Sequence, residues 1–312
     1  MKNLLTCLML FSCFCLSAQQ TAMNSLYFKN LFLINPAEVG KGGETQLHLS
    51  HRQQWVGLDG APTTTWFSAQ TQINRNLNFG ARVNYDQIAF FERLQFDASL
   101  GYYLKIDASN ELNFGLSLGM IQGNLVMENM IATDYSDLLL QNNGVNGIGF
   151  HSDFGIVYTN KKKLSIGFAY PQLFSSPIAL ESVNETEQYD FKSHRYLYAS
   201  YQLDMTEGLT FTPIIMLRKA TGHQNQFDLL GNFKFKSKYW GGLGVRQEGG
   251  FLVNLGFSPM DNLKITYGYE FNNGTISYYS SGSHEVMVSF TINKNKDTAP
   301  TDLDQEDQET KE

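Results

Sequence analysis

The chain has 312 residues, a formal net charge of −7, 13% aromatic residues and 27 glycines. The negative charge argues against nucleic acid as a partner, because proteins that bind it present basic faces. All three cysteines, Cys7, Cys13 and Cys15, lie near the N-terminus. The rest of the chain therefore has no disulfide, thiolate nucleophile or cysteine metal site.

Residues 1–18 have the pattern of a secretory signal peptide. Lys2 precedes the apolar run Leu4–Leu16, which is followed by Ser17-Ala18-Gln19. A charged start, a short apolar run and a small residue at the cut define such signals, and the run is too short to span a bilayer. We expect cleavage after Ala18 and export of the remaining chain. A lipoprotein modified on Cys13 is the alternative, with a poor lipid-attachment motif.

The next segment, residues 19–44, is predicted to be a periplasmic N-terminal segment that precedes a membrane domain. It contains Leu33-Ile34-Asn35-Pro36-Ala37, followed by Gly40, Gly42 and Gly43. The proline and the clustered glycines prevent a long helix here.

Residues 45–292 alternate between apolar and polar or small side chains, as Leu94–Lys105 illustrates. A period of two indicates β-strands, and several runs reach the ten or so residues that a tilted strand needs to cross a bilayer. We predict an all-β fold, an antiparallel transmembrane outer-membrane β-barrel of about 14 strands, an even number as in single-chain barrels. The strands are 45–55, 63–74, 77–88, 92–106, 110–124, 147–159, 164–172, 194–204, 209–218, 225–235, 239–247, 251–259, 262–271 and 283–292.

The connections between these strands alternate in length. Every second one is short, whereas the others include the long stretches 125–146, 173–193 and 272–282. Outer-membrane barrels have short periplasmic turns and longer extracellular loops, and closure removes the strand edges that lipid cannot satisfy. The pattern therefore predicts that both termini are periplasmic and that the long loops lie outside the cell.

Several aromatic residues near strand ends, including Trp55, Trp66, Tyr102 and Trp240, are predicted to form girdles at the membrane interfaces. Ordinary cross-strand aromatic pairs are the alternative.

The polar residues that alternate with the apolar series are predicted to face the barrel lumen. Buried charges need partners, so we expect a paired internal network, which either fills the lumen or lines a transport path. Its members are Arg52, Arg82, Asp86, Asp97, His151, Asp153, Lys264 and Glu270.

Residues 293–312 are predicted to be a disordered acidic C-terminal tail. They contain seven acidic residues, three lysines and no aromatic residue. Such a segment cannot bury enough apolar surface to fold by itself.

No arrangement of residues suggests catalysis. The six histidines lack metal-ligand spacing, since His48 and His51 would point to opposite faces of one strand. The sequence also has no G-x-S-x-G elbow and no phosphate loop. We predict that the protein is not an enzyme and uses no cofactor or metal.

The stretch His51–Thr65, HRQQWVGLDGAPTTT, has the glycines and proline of a tight connection between two strands. It resembles the first-hairpin motif of PorP/SprF-type outer-membrane proteins of bacterial type IX secretion and gliding machinery. The N-P-A element at 35–37 and GSHEVMVSF at 282–290 extend the resemblance over nearly the whole mature chain.

This resemblance implies an outer-membrane barrel that assists export or surface attachment of cargo proteins through their C-terminal signal domains and contacts periplasmic components of the machine. A passive porin or hydrophobic-solute channel and a soluble periplasmic β-protein are the alternatives. The matching positions are candidates for partner binding, although a purely structural role in the hairpin would preserve the same residues: His51, Arg52, Gln53, Gln54, Trp55, Gly57, Gly60, Ala61 and Pro62.

Overall fold

The computed structural model describes residues 24–126, 145–181, 186–189, 193–221, 225–247 and 250–292. The predicted signal peptide, the acidic tail and most of the predicted loop 125–146 lie outside these residues. The strands of the described residues are β1 Thr45–Gln53, β2 Thr63–Gln72, β3 Leu77–Ile88, β4 Phe91–Lys105, β5 Asn110–Leu125, β6 Val145–Asn160, β7 Leu164–Ser175, β8 Ile178–Glu181, β9 Thr186–Tyr189, β10 His194–Tyr201, β11 Leu203–Thr206, β12 Leu209–Ala220, β13 Gln226–Phe235, β14 Tyr239–Arg246, β15 Gly250–Met260, β16 Leu263–Phe271 and β17 Ser283–Ile292.

The wall is a closed antiparallel barrel, which confirms the predicted fold. β1 pairs with β17, and the sheet closes where β10 pairs with β12. The short strand β11 follows β10 after Gln202 and pairs with the start of β12, so β10 and β11 share one position. The described wall therefore has 14 strand positions. β8 and β9 form a separate hairpin.

The two ends of the barrel differ in their connections. Short turns at 73–76, 106–109, 161–163, 207–208, 236–238 and 261–262 lie at one end, here called the turn end. The other end, the loop end, has the connections 54–62 and 272–282, the short turn at 89–90 and the connections that lie partly outside the described residues. Lys161–Lys162 and Lys236–Ser237 both have consecutive positive φ angles, a type I′ pattern whose twist matches that of the adjoining strands.

The outer face of the wall is apolar and the inner face is largely polar. Leu100 and Leu118, for example, point outward and are exposed, whereas Ser99 and Ser117 point inward and are buried. A continuous exposed apolar band suits a lipid environment. No helix in the described part of the chain is long and apolar enough to cross a membrane.

The expected aromatic girdle is wrong at two positions. Trp66 and Trp240 point into the lumen and are buried, and the Trp240 ring N–H donates to Thr266 at 3.2 Å. A strand-end position alone does not reveal which face a ring occupies, whereas the register of the closed sheet does.

The lipid-facing assignment predicts a depth-dependent effect along β4. Leu100 and Ile106 lie on the same outward face and are 52% and 56% exposed, but Ile106 is next to the turn end. An arginine costs about 2–4 kcal/mol at mid-membrane and about 0–1 kcal/mol near the interface. We expect Leu100→Arg to reduce the fraction of barrel that migrates as the folded, heat-modifiable form, and Ile106→Arg to preserve it. Equal losses in the two variants would contradict this placement.

Candidate functional site

Residues 24–43 fill the barrel lumen and are called the plug here. The sequence analysis expects residues 19–44 to be a periplasmic segment, but the structure places the plug inside the wall. The plug contains short 3-10 helices at Tyr27–Lys29, Leu31–Leu33 and Pro36–Glu38. Tyr27 and Ala37 are buried in a cluster with inward side chains of β6, β7, β10, β12, β13 and β15. Phe32 and Val39 are buried against β3 and β4, and Leu26 is buried against β16.

The N-P-A element, residues 35–37 of the plug, packs closely against the barrel wall. The Asn35 side chain accepts a hydrogen bond from the Ala37 backbone at 2.9 Å and donates to the Tyr198 hydroxyl at 3.0 Å. A side chain on Gly115 would overlap Pro36 and Ala37, and one on Gly155 would overlap Asn35. Asn35 therefore caps the last plug helix and also fixes it to the wall. The sequence analysis treated Pro36 as a helix breaker and the N-P-A element as part of the family resemblance, and it did not predict this contact with the wall.

The start of the plug is held near the loop end. The Ser25 backbone N–H donates to Glu285 at 2.6 Å, and the Ser25 hydroxyl donates to Glu270 at 2.6 Å. Arg246, the last residue of β14, donates to the Asn24 carbonyl at 3.2 Å. The described chain therefore starts near the loop end and reaches the turn end where β1 begins. This differs from the expectation that both termini lie on one side.

A buried ion-pair network surrounds this attachment. Arg52 lies 3.2 Å from Glu270 and 3.9 Å from Glu285, while Arg246 contacts Glu270 at 3.1 Å and Asp228 at 3.2 Å. Arg52 and Glu270 were expected in the lumen, and the structure brings them together. The alternation of β17 places Glu285 on the inner face, so the sequence could have included it among the lumen residues. Nothing in the sequence indicates that it pairs with Arg52.

A second network lies across β3, β4 and β6. The Arg82 guanidinium contacts Asp153 at 2.7 Å and Asp97 at 3.5 Å, and His151 contacts Asp97 at 2.6 Å. Arg82 also donates to the carbonyl of Phe32 in the plug at 3.0 Å. The network therefore ties the plug to this side of the wall.

Asp86 and Lys264 complete the predicted lumen set. Asp86 accepts a hydrogen bond from Thr64 at 2.6 Å and contacts Arg93 at 3.4 Å. Lys264 is on the inward face of β16 but exposed at the turn end, and it forms no ion pair with any described residue.

Asp97, His151 and Asp153 place one ligand atom each within 4.8 Å of one another, the donor set of a possible metal site. Arg82 contacts both carboxylates and so supplies positive charge at the position that a cation would need. Arg82 therefore offsets part of the negative charge of this cluster within the protein.

The first-hairpin motif does not form a single surface. Arg52 is buried in the lumen network and Pro62 is buried at the start of β2, whereas His51 and Gln53 point outward. His51 pairs with the Thr65 hydroxyl at 2.9 Å. The remaining candidates lie at the tip of the hairpin: Gln54, Trp55, Gly57, Gly60 and Ala61.

The hairpin tip is fixed to the neighbouring loops. The Val56 backbone N–H donates to the Gly282 carbonyl at 2.9 Å, and the Ser281 N–H donates to the Val56 carbonyl at 2.8 Å. On the other side, the Ala89 N–H donates to the Gly60 carbonyl at 2.9 Å. Trp55, Gly57 and Gly60 have positive φ angles, which an ordered, tightly turned tip requires.

Two exposed tyrosines lie next to this tip. Tyr278 is 85% exposed and Tyr279 is 68% exposed, and the Tyr279 carbonyl lies 3.4 Å from where a side chain on Gly57 would begin. We call residues 54–61 together with Tyr278 and Tyr279 the tip surface. The sequence analysis missed these tyrosines as site residues, because only the closed barrel brings the 272–282 connection, which contains them, against the first hairpin.

A sequence profile described as "Type IX secretion system membrane protein PorP/SprF" matches residues 16–290. The chain belongs to the PorP/SprF family. This confirms the resemblance, and with the barrel fold it identifies the protein as an outer-membrane β-barrel of the type IX secretion system. Among curated proteins, none matches the sequence.

Solved structures show the same kind of barrel. The toluene transporter TodX from Pseudomonas putida is 11% identical with a TM-score of 0.52, over 85% of this chain and 94% of TodX. A FadL homologue from Pseudomonas aeruginosa is 13% identical with a TM-score of 0.47, over 82% of this chain and 91% of that chain. At this identity the likeness to TodX establishes the fold alone.

Proposed function

We propose that this PorP/SprF protein is a non-enzymatic component of the type IX secretion and gliding machinery. It binds secreted cargo proteins through their C-terminal signal domains and assists their export or surface attachment. Its binding site is the tip surface, with the loop end outside the cell, while the turn end faces the periplasmic components of the machine.

The observation that carries this proposal is the construction of the tip surface. Residues that match the first-hairpin motif of the family form an ordered tip, which is hydrogen-bonded to both neighbouring loops. Two highly exposed tyrosines lie beside this tip. Exposed rings on an ordered backbone are suited to protein recognition, because aromatic anchors dominate binding energy and little order is lost on binding.

The filled lumen argues against the alternative of a passive porin or hydrophobic-solute channel. Apolar plug residues pack against the wall, and Arg52, Arg82 and Arg246 contact carboxylates or plug carbonyls across the interior. A solute path would require these contacts to break. The likeness to TodX does not support transport, since it extends only to the fold.

The proposal predicts that removing an aromatic anchor separates cargo retention from barrel folding. Truncating an anchor costs about 2 kcal/mol or more, a loss of about 30-fold in affinity. We expect Tyr278→Ala, and Trp55→Ala in a second variant, to lower the ratio of surface cargo to folded barrel on intact cells. Both barrels should keep heat-modifiable migration.

Tyr239→Ala is the matched control, because Tyr239 is also an exposed tyrosine, at 52%, but lies at the turn end. It should leave the ratio at the wild-type value. If the ratio of surface cargo to folded barrel is unchanged in both tip-surface variants, the hairpin has only a structural role.

A further inference from the structure

Three lysines meet at the turn end of the lumen and are called the lysine mouth here. Lys234 and Lys264 lie on inward faces of β13 and β16, and Lys29 comes from the plug. The Lys29 ammonium group lies 5.4 Å from the centre of the Trp240 ring. Within the described residues, none of the three lies within ion-pair distance of a carboxylate, whereas the inward arginines Arg52, Arg82, Arg93, Arg218 and Arg246 all do.

The lysine mouth lacks compensation for its charge. Trp240 connects the three lysines: its ring lies against Lys29, it pairs with Lys234 across β13 and β14, and its N–H donates to Thr266, two residues from Lys264 on the same face of β16. Like charges at one site repel, and a bound anion would relieve this repulsion. The mouth therefore favours an anionic ligand.

A polar pocket beside Lys234 offers space for such a ligand. It has a volume of about 190 Å³ and is lined by side chains and backbone that donate hydrogen bonds: Gln202, Gly208, Thr210, Thr212, Lys234 and Ser237. Hydroxyl, amide and ammonium groups together suit a carboxylate.

The surrounding turns extend the positive charge. Lys161, Lys162, Lys163, Lys236 and Lys238 lie in the turns at 161–163 and 236–238. With Arg75, the turns of this end contain six basic residues against the three acidic residues Asp107, Glu207 and Asp261, so this end is more basic than the chain as a whole, whose net charge is −7. Clustered charge of one sign attracts oppositely charged segments over a distance of roughly 10 Å at moderate salt.

The C-terminal tail leaves the wall at this same end. β17 ends at Ile292, and the Thr291 N–H donates to the carbonyl of Asn262, two residues before Lys264. Residues 293–312 contain seven acidic residues against three lysines. Asp297 is five residues beyond Ile292 and so within about 17 Å of it. Twenty residues can reach roughly 25 Å without being fully extended, which brings the acidic side chains within reach of the lysines.

We propose that the acidic tail, residues 293–312, is the ligand of the lysine mouth and that its carboxylates bind Lys29, Lys234 and Lys264. Each exposed pair is weak, but attachment to the same chain gives the tail a high local concentration. An acidic segment of another protein that binds these lysines would therefore have to displace the tail. This inference does not depend on cargo binding at the loop end.

The mature chain contains no cysteine, so paired cysteines can report the contact directly. In the full-length barrel in neutral detergent, we expect a short bis-maleimide to cross-link Asp304→Cys with Ser237→Cys. Cross-linking of Asp304→Cys with Tyr278→Cys, at the loop end, should stay at background. Heat-modifiable migration confirms that each variant is folded.

Removing the positive charge of the lysines tests whether the tail binds the lysine mouth or only lies near it. Lys234→Gln together with Lys264→Gln, both exposed lysines, should lower the rate of the Asp304–Ser237 cross-link about tenfold, as the loss of two weak ion pairs implies. About 0.5 M NaCl should also lower it, by screening. A rate that is insensitive to both changes overturns the proposal. A rate equal to the loop-end background also overturns it and would leave the mouth to a lipid phosphate or an acidic protein.

Discussion

Deleting plug residues 24–41 is expected to convert a closed barrel into a conducting pore. In planar bilayers, the purified wild-type protein should show no steady conductance, and the deletion variant should show stable open-channel steps. The physical reason is that the plug supplies the apolar and polar atoms that fill the lumen, including Leu26, Phe32 and Val39. Without them, the inward charges of the wall face a water-filled channel.

A point variant tests the same idea with less disturbance. A methyl group on Gly115 would overlap the plug backbone at Pro36 and Ala37, so Gly115→Ala should loosen the plug and produce intermittent openings. Gly123→Ala is the matched control on the same strand, because the added methyl would meet only side-chain atoms of Ile178 and Phe91, at 3.3 Å. Steady conductance of the wild-type protein, equal to that of the deletion variant, would favour the porin alternative.

Replacing Arg52 by methionine should cause the largest loss of stability of any single change considered for the lumen. Arg52 is 1% exposed and lies 3.9 Å from Glu285, which itself is 0% exposed. Glu270 keeps Arg246 as a partner, but Glu285 loses its cation. Leaving a buried charge unpaired costs about 3–5 kcal/mol. The midpoint temperature of the heat-modifiable transition measures this loss.

Adding Glu285→Gln to Arg52→Met should restore much of the stability. Glutamine is uncharged, its carbonyl can still accept the hydrogen bond from the Ser25 N–H, and its amide NH2 can donate to the Ser50 hydroxyl in place of the bond that Ser50 donates to Glu285. Lys264→Met is the control, because Lys264 faces inward without an ion pair among the described residues, and it should change the midpoint little. Additive losses in the double variant would show that the Arg52–Glu285 pair is not the source of the effect.

The barrel fold and the division of its side chains between the lipid face and the lumen follow from local patterns. Alternation as in Leu94–Lys105 fixes which side chains share a face, because successive residues of a strand point to opposite sides. Fourteen such runs with connections that alternate in length specify an even antiparallel barrel. The same alternation placed Arg52, Arg82, Asp97 and Glu270 on the inner face, where the structure has them buried.

What occupies the lumen was decided only by the tertiary structure. Ser25 and Glu285 bond across 260 residues of sequence, and Tyr278 and Tyr279 join the first hairpin only because β17 pairs with β1. Trp66 and Trp240 likewise turn inward because of their register. The alternation of side chains along a strand depends only on the backbone geometry of successive residues, so the sequence by itself determines which residues share a face. The position of the plug, the ion pairs and the tip surface all depend on closure of the wall. Closure brings residues together that are distant in sequence, and it creates the space that the plug fills.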